Sequence, residues 1–185
     1  DGFTVGQNYN TNEVDPVADY FVSWNWKAGS SVVTNTSGSI SSQVSVNPTA
    51  GFSIVSYTGT GVNATVGHGL GIAPNMVIVK ARSVSTQSWE VYHSSLGGAN
   101  YVLELDRTAA VQSYSNYWYN GVTSSVFGVN GTYAGINGNG TTYVAYCFAA
   151  IAGYSDFGSY TGNASADGPF VYRGFRPAFI LRKKT

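Results

Sequence analysis

Groups that titrate, attack or ligate are few in this sequence. The histidines are His68 and His93. His68 lies in Gly67-His68-Gly69-Leu70-Gly71, a run whose glycines read as turn formers. A metal site needs further ligands at defined spacing, and the carboxylates are scattered singly, so neither metal nor cofactor is expected. His93 precedes Ser94 and Ser95, but no Gly-x-Ser-x-Gly elbow and no oriented acid complete a triad. Glu90, Glu104 and Asp106 are the candidates for a carboxylate pair of the glycoside-hydrolysing kind. Alternation puts Glu104 and Asp106 on one strand face, which a solvated edge explains as well. No helical pattern follows Gly67-x-Gly69-x-Gly71, which argues against a phosphate cradle. The single cysteine, Cys147, cannot form an internal disulfide and sits in an apolar run as a small core residue. The expectation is a protein that is not an enzyme.

One segment has the chemistry of a binding surface. Tyr114, Tyr117, Trp118, Tyr119 and Asn120 fall in Tyr114-Ser115-Asn116-Tyr117-Trp118-Tyr119-Asn120-Gly121. Aromatic faces beside amides and hydroxyls suit sugar rings, because a rigid apolar platform meets the ring while amides read its hydroxyls. The same side chains make protein-interface anchors. The competing reading packs alternate rings into a core and leaves the rest on a hairpin.

The elements that must hold these residues are strands. Period-two alternation and β-branched or aromatic runs recur at Phe21–Trp26, Phe52–Thr58, Met76–Ala81, Trp89–His93, Tyr101–Leu105, Tyr143–Ala150 and Ala178–Lys183. Asn-Gly and Gly-rich turns punctuate them. Nothing sustains a helical period, although Arg107–Gln112 could make one turn. The pattern predicts an all-β, antiparallel fold of β-sandwich or jelly-roll-like type. Charged residues make up 10% of the 185, against roughly 25% in an ordinary domain, and 43% are apolar. Hydroxyls and amides must therefore clothe the surface, as in extracellular and virion β proteins.

Nine basic and nine acidic side chains cancel. No global field draws in nucleic acid, and no apolar run is long enough to insert in a membrane as a helix. The charges are nevertheless segregated. Asp1, Glu13, Asp15 and Asp19 open the chain, and Arg173, Arg176, Arg182, Lys183 and Lys184 close it. These nine are the candidate assembly residues, an acidic head docking a basic tail within the chain or between neighbours. A solvated tail is the alternative.

The chain also repeats itself. Ser56-Tyr57-Thr58-Gly59 recurs as Ser159-Tyr160-Thr161-Gly162, and at the same offset Gly71 meets Gly174, Pro74 meets Pro177 and Lys80 meets Lys183. Upstream, Phe21-Val22-Ser23-Trp24-Asn25-Trp26 echoes Tyr143-Val144-Ala145-Tyr146-Cys147-Phe148. The expected organisation is the end of one unit (1–29), a Ser/Thr-rich connector (30–50), a complete unit (51–153) and the start of another (154–185). The two outer fragments are different portions of the unit and could complete each other.

The same residues carry a family resemblance. Phe21 to Gly29, Asn47 to Gly59, Gly67-His68-Gly69-Leu70-Gly71-Ile72-Ala73-Pro74, Val91 to Gly97 and Tyr143 to Ala149 resemble a module repeated in tail and virion structural proteins of phages, marine ones especially. The resemblance implies a place in the virion, in a tail fibre, appendage or coat, with partners that are other copies of the chain and other virion proteins. It brings no catalytic residues. A carbohydrate-binding or adhesive module that meets a host-surface glycan is the alternative.

Overall fold

The computed structural model describes residues 23–185. Ten strands follow one another: β1 (Val33–Asn35), β2 (Ser42–Asn47), β3 (Phe52–Thr58), β4 (Ala64–Gly67), β5 (Met76–Ala81), β6 (Glu90–His93), β7 (Tyr101–Glu104), β8 (Gln112–Ser113), β9 (Val126–Val129) and β10 (Thr142–Phe148). One helical turn, α1 (Ala134–Asn137), precedes β10. Eight strands make one antiparallel sheet in the order β1-β2-β3-β10-β5-β6-β7-β8, and β4 pairs with β9 in a second.

The alternation in β3, β5 and β10 sets the sheet's two faces, since successive side chains point opposite ways. Val55, Tyr57, Val77, Val79, Tyr143, Ala145 and Cys147 point inward, with Tyr143 opposite Tyr57 and Ala81, and Ala145 opposite Val55 and Val79. Against them pack Ala64 and Val66 of β4 and Phe127 and Val129 of β9, closing one apolar core. Tyr57 stacks on Tyr143 with ring centres 5.0 Å apart and meets Phe127 edge-on at 5.9 Å. Each such ring contributes on the order of 2 kcal/mol by leaving water. The two layers are stitched at one side, where the Ile40 amide donates to the Thr65 carbonyl (3.0 Å) and the Ser42 hydroxyl to the Gly67 carbonyl (2.9 Å).

The sheet's outer face is also apolar. Ile78, Val91 and Leu103 lie buried there, with Met76, Leu96, Tyr146 and Phe148 beside them. Phe52 and Phe148 meet at 4.8 Å, Trp26 lies against both, and Trp89 stacks on Tyr146.

The all-β, antiparallel, sandwich-type fold is as expected, and the alternating runs within 52–148 form strands nearly to the residue. The stretch read as a connector is ordered structure: β1 and β2 fall in it, and Val44 opposite Val55 is fully buried. Arg107–Gln112 forms no helical turn, and the turn α1 arises elsewhere. The strand expected at Ala178–Lys183 does not form. Its counterpart in the complete unit, β5, pairs with β10 and β6, and β10 is already flanked on both sides by β3 and β5. Of the expected strand Phe21–Trp26, Ser23 to Trp26 are described and form no strand, while Phe21 and Val22, and the expected docking of Asp1, Glu13, Asp15 and Asp19, fall outside the described residues.

Candidate functional site

Beside the inward-facing residues of β6 and β7, loops and the turn before β10 come together. There lies a cleft of about 240 Å³, lined by Gln87, Glu90, Val102, Glu104, Gln112, Tyr114, Tyr117 and the turn Thr132–Gly135. Glu90 and Glu104 are direct cross-strand partners and share the inward side. One wall is aromatic: Tyr133 lies 4.6 Å from Tyr117 and 5.4 Å from Tyr114, ring centre to ring centre.

Each wall has a local cause. The turn carrying Tyr133 is pinned from the core side: the Tyr57 hydroxyl donates to the Ile136 carbonyl (2.7 Å) and the Tyr143 hydroxyl to the Ala134 carbonyl. Asn137, fully buried, accepts from the Thr60 amide (2.8 Å) and donates to the Val62 carbonyl (2.6 Å). The loop carrying Tyr114 and Tyr117 folds on itself through asparagines. Asn116 and Asn120 adopt left-handed backbone, which asparagine tolerates, and Asn116 accepts from the Asn120 amide while its own amide donates to Asn100. Gly135 makes room for the acid, because a Cβ there would lie 2.8 Å from Glu90 Oε1 and 3.1 Å from the Tyr117 hydroxyl.

The electrostatics follow from burial. Glu90 is only 6% exposed. Desolvation pushes its carboxyl up to about 7, opposed by the hydrogen bond from Tyr117 and reinforced by Glu104 and Asp106, with Arg107 acting the other way. Burial and the neighbouring Glu90 push the Tyr117 hydroxyl far above its ordinary range. Glu104 stands 3.6 Å from the Arg107 guanidinium. Asp106 is not part of the cleft wall; it leaves the strand in a turn and accepts from the Trp89 amide (3.1 Å).

The aromatic segment singled out in the sequence thus divides. Tyr114 and Tyr117 line the cleft. Trp118 cannot meet a ligand: it is fully buried against Tyr92, its indole N–H donating to the Tyr101 carbonyl (3.1 Å). Tyr119 and Asn120 lie on the loop beyond and do not line the cleft. Sequence reasoning missed Gln87, Gln112 and Tyr133, because nothing in their spacing links a loop, the short strand β8 and a distant turn; the weighing of Glu90 with Glu104 was the signal available.

The second candidate site, the basic tail, runs from Phe157 to Thr185 with bends and no strand. Arg173 pairs with Asp156 (2.9 Å), which holds that carboxyl below its ordinary range, and Lys183 donates to the Arg107 and Ala109 carbonyls (2.7 and 3.1 Å). Those two cations therefore have partners other than the acidic head. Arg176, Arg182 and Lys184 are exposed. Phe179 meets Trp24 at 6.0 Å and Trp26 at 5.8 Å, while Phe170, Tyr172, Ile180 and Leu181 remain in solvent.

The other chemical candidates are structural. His68 is fully buried; its Nδ1 accepts from the Leu70 amide (3.2 Å), so the proton sits on Nε2, 3.1 Å from the Thr123 carbonyl. Burial lowers its pKa. His93 Nδ1 accepts from the Ser95 amide and caps a single turn. Burial pushes the Cys147 thiol up to about 12, which leaves it unreactive. Among the described residues no cluster of metal-ligating side chains occurs, and no helix is long and apolar enough to cross a membrane.

Fold and sites together define an all-β, sandwich-type module with a tyrosine-lined acidic cleft and a closing segment without strands. The chain belongs to the DUF7483 family, a domain of unknown function whose profile matches residues 1–185. No curated protein and no solved structure matches it.

Proposed function

We propose that the protein is a structural module of a phage virion surface, in a tail fibre, appendage or coat, and that it associates with further copies through its closing segment. One observation carries the reading. Residues 154–185 share with β3 to β5, at one offset, Ser159-Tyr160-Thr161-Gly162, Gly174, Pro177 and Lys183, yet among the described residues they form no strand. Tyr57 is buried in the core with its hydroxyl bonded, whereas Tyr160, its repeat, is 52% exposed. Phe170 is 89% and Ile180 74% exposed. A sequence patterned for a sheet and left without strand partners fits a partner that supplies them.

The repeat also says which partner. In the complete unit β10 lies between β3 and β5, so the complement of 154–185 is a β10-like strand, which Phe21–Trp26 of a second copy offers. The sheet's own edges are poor docking strips, because β1 has three residues and β8 two. The phage setting is supported by the likeness of the motif wording to virion modules, and the low charge with hydroxyl- and amide-rich surface is consistent with it.

Light scattering after size exclusion, with electron microscopy, tests the reading. The chain is expected to form oligomers or filaments at tens of micromolar, and Tyr160→Ser with Ile180→Ser is expected to return it to monomers without changing its β-sheet circular dichroism. A chain that stays monomeric, or a variant that associates equally well, overturns it.

A further inference from the structure

We infer that the cleft between the β6–β7 pair and the Tyr133–Gly135 turn is a binding site for an uncharged sugar ring. The site is independent of the association through the closing segment.

Four observations converge. A cleft of about 240 Å³ is smaller than the several hundred typical of drug-sized ligands, and it suits one ring. Its aromatic wall presents Tyr114, which is exposed, and Tyr133, which is half-buried, as adjacent platforms. Aromatic faces of this kind stack on the apolar C–H face of a sugar. The lining also holds two carboxyls and the amides of Gln87 and Gln112, and Gln112 joins the two sets by accepting from the Tyr114 hydroxyl and donating to Glu104 (3.5 Å). Glu90 lies at its floor, nine-tenths buried, with the Tyr117 hydroxyl as its partner. A carboxyl can make more hydrogen bonds than one phenol supplies, so a ligand hydroxyl that bonds it is favoured over an apolar guest.

Charge decides between a neutral sugar and a cation, since tyrosines with carboxylates also make cages for ammonium groups. The groups facing Glu90 are Tyr117, Glu104, Asp106 and Arg107. Glu104 is balanced by Arg107 at 3.6 Å, and Asp106 is turned to the Trp89 amide. Glu90 is largely protonated at mildly acid pH, where it acts as a hydrogen-bond donor. The cleft then carries little uncompensated negative charge, which favours hydroxyls over ammonium.

The test uses the full chain, with saturation-transfer NMR on free neutral monosaccharides and a glycan array for surface-displayed ones. Neutral sugars are expected to bind at pH 6. Tyr114→Ala, a change at an exposed ring, is expected to weaken binding on the order of tenfold or more. Affinity is expected to fall from pH 6 to pH 8.5 in the native chain, and Glu90→Gln, which keeps a donor at every pH, is expected to flatten that fall. Binding to free sugars and array glycans alike marks ring recognition; array glycans alone mark a longer polysaccharide on the same site. The inference is overturned by no neutral sugar binding at pH 6, by affinity unchanged in Tyr114→Ala, or by binding of amino sugars or choline alone. Near-ultraviolet circular dichroism checks that each variant is folded, and Gln112→Ala, at the rim, supplies a second reading where Glu90→Gln is unstable.

Discussion

The Tyr117 hydroxyl and the Glu90 carboxyl both close on Gly135, where a Cβ would lie 3.1 Å from the one and 2.8 Å from the other. A buried acid therefore has one phenol for company beside an otherwise apolar core, and its proton becomes part of the fold's stability.

Stability should report that proton. The folded-state value of Glu90, about 7, lies above its ordinary 4.5. The stabilisation is thus fully present below pH 4.5 and is lost as pH rises through about 7. Melting temperatures of the native chain and of Glu90→Gln, followed from pH 4 to 9, should diverge in that interval, with the native chain losing ground to the variant at high pH. Parallel curves would show that Glu90 ionises without cost.

His68 contributes with the opposite sign. Its folded value is lowered, so its contribution is present above the ordinary 6.5 and declines as pH falls below it. His68→Gln should lessen the acid loss while costing about 1–3 kcal/mol near neutrality, because a bonded buried group is replaced imperfectly. Urea titrations at pH 5 and 7.5 measure both effects.

Asn137→Ala should be among the most damaging single changes near the cleft. It strands the Thr60 amide and the Val62 carbonyl and frees the turn that carries Tyr133. A loss of about 1–3 kcal/mol follows from the two hydrogen bonds that a fully buried side chain gives up, readable by chemical denaturation. The same variant should lose sugar binding, and a stable variant with an intact turn would contradict the account.

Gly135→Ala separates space from stability. The added methyl must displace Glu90 or Tyr117, both flexible at the contacting atom. The expected outcome is a small change in melting temperature with a marked loss of ligand affinity, measured by titration calorimetry.

Cys147 should be silent toward Ellman's reagent in the folded chain and react fully in denaturant, since it is buried with its thiol pushed up to about 12. Reaction of the folded chain at the denatured rate would mean that β10 opens readily.

The strands were legible where side chains alternate between two buried faces. β3, β5 and β10 carry apolar residues inward and outward alike, and their bounds follow the runs read from the sequence closely. β1 and β8 were hidden because edge strands of two or three residues, polar but for Val33, have no period to detect. The repeat at 154–185 predicted a strand by likeness to β5, but a strand is made by its neighbours, and β10 has no free side to offer. At the cleft, Tyr114 and Tyr117 could be chosen from composition alone. Trp118 could not be excluded that way, because only the packing against Tyr92 shows which ring turns inward. Tyr133 came from a turn held by Asn137 and Tyr57, through long-range bonds that no local pattern encodes.

The closing segment is fastened at intervals, by Arg173 to Asp156, by Phe179 against Trp24 and Trp26, and by Lys183 to the loop after β7. A pull applied near Thr185 is therefore borne first by these fastenings, one after another. The ladders that β10 makes with β3 and β5 feel it only after the last has given way. Detaching the segment thus costs these few contacts and leaves the sheet's own ladders in place.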